Sequence, residues 1–221
     1  MGARSIALPG PPVPDHRLDL ESPAGPGRAH VFLSTGAPRA SVVLGHGAGG
    51  GIEAADLQLL AATLPALGYR VVLIEQPWRV AGKRVAPRPP ALDAAWLPML
   101  AELTRGAGTG PVVVGGRSAG ARVACRTAYA TGASAVLCLS FPLHPPGQPE
   151  RSRAPELRTP VAHGIPVRVI QGARDPFGTP GEVQAELPDP GWVRAVPGTH
   201  SFAAHPQDVA AAAAEFLSHL I

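Results

Sequence analysis

Six short apolar runs alternate along this chain with segments that have apolar residues at helical spacing. The apolar runs are residues 41–45, 69–77, 111–115, 135–140, 167–171 and 192–196. The helical segments are residues 54–67, 91–105, 118–131 and 206–220. Strands that are apolar at every position must be covered on both faces, as they are in parallel sheets whose crossovers are helices. The pattern predicts an α/β fold with a doubly wound, mostly parallel sheet.

The remaining segments are predicted to extend or connect this sheet. The runs HRLDLES (16–22) and AHVFLS (29–34) flank the turn PAGPG and are typical of an antiparallel hairpin. Pro65 should weaken the last turn of the helix 54–67, and Gly68 is expected to cap it. The proline-rich stretches 76–90 and 141–166 show no regular pattern, and they are too short to form a large lid domain.

The bulk properties limit the classes of protein. A chain of 221 residues that is 45% hydrophobic and 16% charged suits one domain (1–221), with residues 1–15 expected to be flexible. A net charge of +3 from scattered arginines does not indicate a nucleic-acid partner. No apolar run reaches the roughly 18 residues of a membrane span, and no signal-type run begins the chain, so a cytoplasmic location is expected. No feature indicates an oligomeric state.

The stretch VVVGGRSAGARVA (112–124) places a serine where a strand turns into a helix. Gly116, Ser118 and Gly120 form the pattern G-x-S-x-G, in which the serine occupies a strained turn and small neighbours let strand and helix approach. Ala119 is small as well. The same residues could serve only the packing of a strand against a helix. If Ser118 is a nucleophile, the chain must also supply a base, a carboxylate and donors for an oxyanion.

Two later turns offer the base and the carboxylate. Asp175 follows the apolar strand in VRVIQGARDPFG, and His200 lies in VPGTHSF, between the last strand and the last helix. The order Ser118, Asp175, His200 is that of hydrolases built on this kind of sheet. Each residue has a structural alternative: Asp175 could form a turn or cap a helix, and His200 could be a surface histidine like His205 and His219.

The glycine-rich turn LGHGAGG after the first apolar strand is a candidate for the oxyanion donors. We predict the backbone N–H groups of Ala48 and Ala119 as the two donors, with Gly49 as the alternative to Ala48.

The basic stretch 78–88 offers further candidates for substrate binding. Trp78 and Arg79 could contact substrate, and the cations Lys83, Arg84 and Arg88 could recognise an anionic group. The alternative is a solvated loop anchored by Trp78. The histidines show no metal-ligand spacing such as H-E-x-x-H, so we expect neither a metal nor an organic cofactor.

With HGAGG, GGRSAG, QGARDPFG and PGTHSF, the chain resembles the α/β-hydrolase superfamily over nearly its whole length. The stretch QPWRVAGKRVAPRPPALDAAW resembles a small family of hydrolase-like proteins. That family includes the testis-expressed hydrolase-like protein and a subunit of the NSL histone-acetyltransferase complex, and it lies close to the dienelactone hydrolases. The resemblance implies an eight-stranded, mostly parallel sheet, a Ser-His-Asp site at the C-terminal strand ends, and little or no cap.

The residue at position 118 narrows the chemistry. Dienelactone hydrolases have a cysteine nucleophile there, and haloalkane dehalogenases and epoxide hydrolases have an aspartate, whereas this chain has serine. The resemblance therefore implies acyl transfer from an ester, thioester or amide. Without a lid, a small-molecule substrate with a short acyl group is expected. The alternative is a non-catalytic module that keeps the fold and binds a partner protein.

Overall fold

The computed structural model describes residues 11–105 and 110–220. The strands are β1 (His16–Leu20), β2 (Gly27–Phe32), β3 (Ala40–Gly45), β4 (Tyr69–Glu75), β5 (Val112–Arg117), β6 (Ala135–Leu139), β7 (Val167–Gly172) and β8 (Val193–Val196). The helices are α1 (Ala55–Thr63), α2 (Pro77–Val80), α3 (Pro89–Leu103), α4 (Ala119–Thr127), α5 (Ala154–Ala162), α6 (Pro180–Gln184) and α7 (Pro206–Leu220). Residues 1–10, most of the segment expected to be flexible, lie outside the described part.

The eight strands form one sheet in the order β1-β2-β4-β3-β5-β6-β7-β8. Strand β2 is antiparallel to both β1 and β4, and the six strands β4, β3, β5, β6, β7 and β8 are parallel to one another. The chain crosses from β3 to β4 in one direction and from β4 to β5 in the other. Ligands of open α/β sheets bind at such a switch point, outside the carboxyl ends of the strands. The predicted mostly parallel, eight-stranded sheet is confirmed.

Helices cover both faces of the sheet, as the all-apolar strands require. On one face, α3, α4 and α5 pack through side chains such as Trp96, Val123 and Leu157. On the other face, α1 and α7 pack through side chains such as Leu60 and Phe216. Neighbouring residues within a strand point to opposite faces, so every position of β3 is buried. The loops of the candidate site begin at the ends of these buried strands.

The stretch 141–166 is more regular than its prolines indicate. It contains α5, with Pro155 in the first turn, where its missing N–H has no intrahelical partner to lose, and Pro160 inside the helix. The side chains of Phe141, Leu143 and Leu157 are buried in the same core as α4. The prediction of an irregular stretch was wrong here, because the apolar face of α5 packs on α4 and compensates for the unfavourable prolines. The segment lies against α4 and does not form a separate cap.

An ion-pair network joins α3, α4 and α5. Arg122 donates from Nε and Nη2 to Glu156, both at 2.7 Å, and Arg126 Nη1 donates to Glu156 Oε2 at 2.8 Å. Arg126 also makes two hydrogen bonds with Asp93, at 2.8 and 2.6 Å. Burial acts to raise the pKa of Glu156, but the hydrogen bonds and charges of the two arginines hold it below its ordinary value. The network therefore favours the folded state at neutral pH.

We expect Glu156→Ala to lower the free energy of unfolding by about 2 kcal/mol at neutral pH. This value lies between the about 0–1 kcal/mol of exposed ion pairs and the about 3–5 kcal/mol lost when a buried pair is broken. Because folding lowers the pKa of Glu156, its contribution is present above the ordinary value of 4.5 and is lost as the pH falls through the lowered folded value. Urea unfolding at several pH values measures both effects.

The matched control is Glu215→Ala, which breaks the surface pair between Glu215 and Arg194. The Glu215 side chain is 47% exposed, whereas that of Glu156 is 22% exposed. We expect the control to cost less than about 1 kcal/mol. Equal costs for the two variants would mean that the network contributes no more than a surface pair.

Both cysteines are buried thiols that lie close together in the core. Cys125 lies in α4 and Cys138 in β6, and their Sγ atoms are 3.5 Å apart. Burial raises the pKa of the Cys125 thiol well above its ordinary value, which makes the reactive thiolate unfavourable. The expectation of reduced core cysteines agrees with this arrangement.

None of the helices in residues 11–105 and 110–220 has the length and apolar character needed to cross a membrane.

Candidate active site

Ser118 occupies a strained turn between β5 and α4. Its backbone has φ 52° and ψ −107°, a conformation that side-chain-bearing residues rarely adopt. The flanking glycines are required by sterics: a Cβ on Gly116 would lie 2.4 Å from the carbonyl oxygen of Gly45, and one on Gly120 would lie 2.6 Å from the same backbone. The turn therefore rests directly on the end of β3, and the glycine spacing seen in the sequence follows from that contact.

The structure brings Ser118, His200 and Asp175 together, although the first two are 82 positions apart in the sequence. His200 Nε2 lies 2.8 Å from Ser118 Oγ, and His200 Nδ1 lies 2.8 Å from Asp175 Oδ2. Since the carboxylate can only accept, Nδ1–H donates to Asp175 and Nε2 is left to accept the serine hydroxyl proton. The three side chains form a continuous hydrogen-bonded series at the carboxyl ends of β5, β7 and β8.

Asp175 is fixed by its own hydrogen bonds. Its side chain is fully buried, and its oxygens accept from the backbone N–H of Phe177 at 2.9 Å and from Gln171 Nε2 at 3.0 Å. Gln171, at the end of β7, also bonds the backbone of Phe141 and the carbonyl oxygen of Gly178. Sequence reasoning missed Gln171. The available signal was one amide side chain next to the end of the run VRVIQG, whose other polar side chain is Arg168.

His200 is held from two sides. Its ring lies against the ring of Phe177, with centroids 4.3 Å apart, and its carbonyl oxygen accepts a hydrogen bond from Arg117 Nη2 at 2.9 Å. The Nε atom of Arg117 lies 3.2 Å from a carboxylate oxygen of Asp56, whose side chain is fully buried in α1. Burial raises the pKa of Asp56, and the charge of Arg117 opposes that rise.

Arg117 thus ties the turn of Ser118 to α1 and to the loop that carries His200. Sequence reasoning missed this arrangement too. Its only signal was Asp56 within the apolar helix segment AADLQLL, and the partner of a buried carboxylate is set by the tertiary fold.

The loop after β3 runs beside Ser118. A Cβ on Gly47 would lie 3.6 Å from the Cβ of Ser118, and Ala48 and Gly49 follow in an exposed turn. His46 pins this loop: its Nε2 accepts the backbone N–H of Gln76 at 3.1 Å, and its Nδ1–H donates to the carbonyl oxygen of Gly47 at 2.9 Å. Burial lowers the pKa of His46, so the ring is neutral, as these two bonds require.

Ala119 is the first residue of α4, and the first N–H groups of a helix have no intrahelical partner. They also carry the partial positive charge of the helix dipole. The backbone N–H group of Ala119 is therefore suited to bind an oxyanion beside Ser118. The assignment of Ala48 and Ala119 as the two donors, with Gly49 as the alternative, stays a prediction.

The two predicted substrate contacts in the basic stretch differ in position. Trp78, in α2, is buried, and its ring centroid lies 5.4 Å from that of His46. Arg79 is 35% exposed and donates to Glu53 at 3.0 Å, so it pairs with an acid beside the loop after β3.

Within residues 11–105 and 110–220, no three His, Cys, Asp or Glu side chains are grouped so that they could hold a metal ion.

Comparison with solved structures shows a shared fold over nearly the whole chain. An alpha-beta serine hydrolase homologue from Coxiella burnetii matches with a TM-score of 0.74 at 16% identity, covering 92% of this chain and 98% of that one. XC6422 from Xanthomonas campestris, described as an a/b serine hydrolase without lid, matches with a TM-score of 0.69 at 21% identity, covering 95% and 96%. Est1E from Butyrivibrio proteoclasticus matches with a TM-score of 0.69 at 14% identity, covering 92% and 98%.

Two further comparisons use the sequence alone. A search of curated proteins finds no match to this chain. The family model described as "Alpha/beta hydrolase domain" matches residues 38–217, which include β3, the loop after it, Ser118, Asp175 and His200. Because this match spans most of the 221 residues, the chain belongs to the alpha/beta hydrolase domain family.

Proposed function

We propose that this protein is a serine hydrolase that cleaves carboxylic esters or thioesters of small or short acyl groups. The observation that carries the proposal is the continuous series Ser118, His200 and Asp175, with both hydrogen bonds at 2.8 Å, on a strained turn at the carboxyl ends of the strands. Membership of the hydrolase family supports it. Folding alone does not require a serine, a histidine and a buried aspartate in this arrangement.

In the proposed reaction, His200 Nε2 accepts the proton of Ser118 as Oγ attacks the carbonyl carbon. Asp175 holds the imidazole in the tautomer that leaves Nε2 free to accept, and it stabilises the imidazolium that forms. The backbone N–H groups of Ala119 and Ala48 would donate to the oxyanion of the tetrahedral intermediate. The proton on Nε2 then passes to the leaving alcohol or thiol.

A second half-reaction releases the acyl group. Water attacks the acyl-enzyme while His200 accepts its proton, and the proton returns to Ser118 as the ester bond breaks. Water is the only co-reactant, so no metal or organic cofactor enters the proposal. A small-molecule substrate, a cytoplasmic location, and the lack of nucleic-acid or membrane partners remain predictions from the sequence, as does a single domain.

The sequence also resembles a small family of hydrolase-like proteins that includes the NSL-complex subunit. That resemblance raises the alternative of a non-catalytic interaction module. The contacts that hold Asp175 and His200 in place argue against a non-catalytic module. Gln171 and Phe177 orient Asp175, and Arg117 holds the His200 loop, although a partner-binding surface needs none of these contacts.

We expect hydrolysis of p-nitrophenyl esters to be fastest from acetate to butyrate and to fall with longer chains. Each buried CH₂ gains about 0.8 kcal/mol only where an apolar wall receives it. The apolar side chains Phe141, Leu143 and Leu157 of the stretch 141–166 are buried in the core with α4, and the cavity next to Ala119 has a volume of only ≈ 10 Å³. The measurement is kcat/KM across the ester series. A steady rise through decanoate would contradict the short-acyl specificity and leave the hydrolase assignment intact.

A further inference from the structure

Arg117 is the last residue of β5, directly before Ser118, and the pairing of β5 with β6 fixes its backbone. Its guanidinium group lies against three separate segments of the chain. Nη2 donates to the carbonyl oxygen of His200 at 2.9 Å, and Nε lies 3.2 Å from Asp56 Oδ2 in α1. On a third side, a Cβ built on Gly47 would lie 3.4 Å from Nη1 and 3.6 Å from the Cβ of Ser118. One side chain therefore contacts both the loop after β3 and the loop that carries His200.

These two loops have no regular structure of their own. Residues 46–54, after β3, and residues 197–205, between β8 and α7, form neither helix nor strand. The first loop carries the predicted oxyanion donor Ala48, and the second carries His200. Strands β5, β6 and β7 lie between β3 and β8, so no strand pairing joins the two loops directly. A side chain that contacts both loops therefore constrains how far the proton acceptor lies from the oxyanion site.

Asp56 determines where the guanidinium group of Arg117 can lie. The Asp56 side chain is fully buried, and that of Arg117 is 14% exposed. Asp56 Oδ1 accepts the backbone N–H of Leu57 at 3.0 Å, whereas Oδ2 makes no well-aligned hydrogen bond with the described residues. The attraction between Oδ2 and Nε is therefore mainly that of two charges. Because a buried carboxylate without a cation is strongly unfavourable, Asp56 anchors the group that holds the His200 carbonyl oxygen.

We propose that Arg117 is a positioning residue for the reaction. Its guanidinium group holds the loop of His200 and the loop of Gly47 at the spacing that proton transfer and oxyanion binding need. Its hydrogen bond with His200 is to the backbone carbonyl oxygen, so Arg117 acts through His200 and not on the substrate. Asp56 contributes by anchoring Arg117. The proposal rests on the proposed hydrolase function and adds two residues to its site.

Arg117→Ala is expected to lower kcat for p-nitrophenyl acetate about 100-fold and to leave KM within a few-fold. A displacement of about 1 Å in a catalytic group costs this much, and such a loss falls on the transition state. Millimolar guanidinium chloride should raise the kcat of this variant by binding between Asp56 and the His200 carbonyl oxygen. Ammonium chloride at the same ionic strength should not, because ammonium lacks the planar fork of donors that reaches both acceptors.

A second variant separates positioning from stability, since Arg117→Ala leaves a buried carboxylate without its cation. The Arg117→Met, Asp56→Asn double variant removes both charges, and replacing a whole buried pair is often neutral for stability. We expect urea unfolding to show that the double variant is more stable than Arg117→Ala, while its kcat stays as low and does not respond to guanidinium. A purely structural role predicts instead that kcat recovers together with stability.

The matched control is Arg122→Ala, which removes another half-buried arginine from an ion pair. The Arg122 side chain is 19% exposed and pairs with Glu156, away from His200. Its loss should lower the free energy of unfolding but leave kcat within a few-fold of the wild type, with no response to guanidinium.

A proton NMR signal tests the positioning without turnover. The Nδ1–H of His200 should resonate far downfield while it donates to Asp175, and His200→Ala assigns the signal by removing it. We expect Arg117→Ala to lose the signal through exchange with water and guanidinium to restore it. Near-wild-type kcat in Arg117→Ala or in the double variant, with the signal intact, would overturn the positioning role and leave the hydrolase function standing. Loss and return of the signal in a protein that hydrolyses no ester would support the positioning of His200 and overturn the hydrolase function.

Discussion

Ser118→Ala is expected to lower kcat for p-nitrophenyl acetate by about 10⁶-fold, the size of loss found when the serine of such a triad is removed. The alanine lacks the Oγ atom that lies 2.8 Å from His200 Nε2, so no acyl-enzyme can form. The fold should persist, because a Cβ is kept and the positive φ of the turn is unchanged. Steady-state kinetics and circular dichroism measure the two effects.

Ser140→Ala is the matched control for this loss. Ser140 lies directly after β6, and its backbone also has a positive φ, 49°. Its hydroxyl has no hydrogen-bond partner among residues 11–105 and 110–220. The same substitution at the same kind of strained backbone should therefore change kcat only a few-fold. A loss at Ser140 as large as that at Ser118 would point to backbone strain as the cause and would remove Ser118 from the mechanism.

His200→Ala is expected to lower kcat nearly as far as Ser118→Ala, and the Ser118→Ala, His200→Ala double variant should be little worse than either single one. Residues that act as one unit give such non-additive losses, because removing either partner already abolishes the shared step. Independent contributions would instead multiply. The measurement is kcat with p-nitrophenyl acetate for the wild type and all three variants, which together form a double-mutant cycle.

His205→Ala is the control for the histidine. His205 lies in the same stretch of chain, but its ring is 39% exposed and faces Asp208 at 3.5 Å. Its loss should leave kcat within a few-fold of the wild type. If His205→Ala abolished activity and His200→Ala did not, the assignment of the base would be wrong.

The sheet was predictable from the sequence because strands that are buried on both faces consist of consecutive apolar residues. Strands such as VVLG and AVLCL are apolar at every position, and the helices between them have their own period. The arrangement of Ser118, Asp175 and His200 was predictable in outline because each follows a recognisable strand. Their contact could be inferred only from the rule that the carboxyl ends of parallel strands meet at one edge of the sheet.

The supporting contacts were not predictable, because they join residues that are distant in the chain. Nothing near Arg117 indicates that it would bind the carbonyl oxygen of His200 or pair with Asp56. Trp96 was interpreted as a core residue, and it is fully buried. Helix α5 was missed because helix propensity penalises proline, whereas the packing of its apolar face on α4 outweighs that penalty.

Labelling with a fluorophosphonate probe tests the nucleophilic role of Ser118 directly, because the probe reacts with a serine only when that serine is activated as a nucleophile. We expect the wild-type protein to gain one phosphonyl group per chain, which is the mass of the probe less HF, and the label to map to Ser118. Ser118→Ala should gain none, while Ser140→Ala should label like the wild type. Equal labelling of wild type and Ser118→Ala, or a folded wild-type protein that takes up no probe, would mean that Ser118 is not an activated nucleophile.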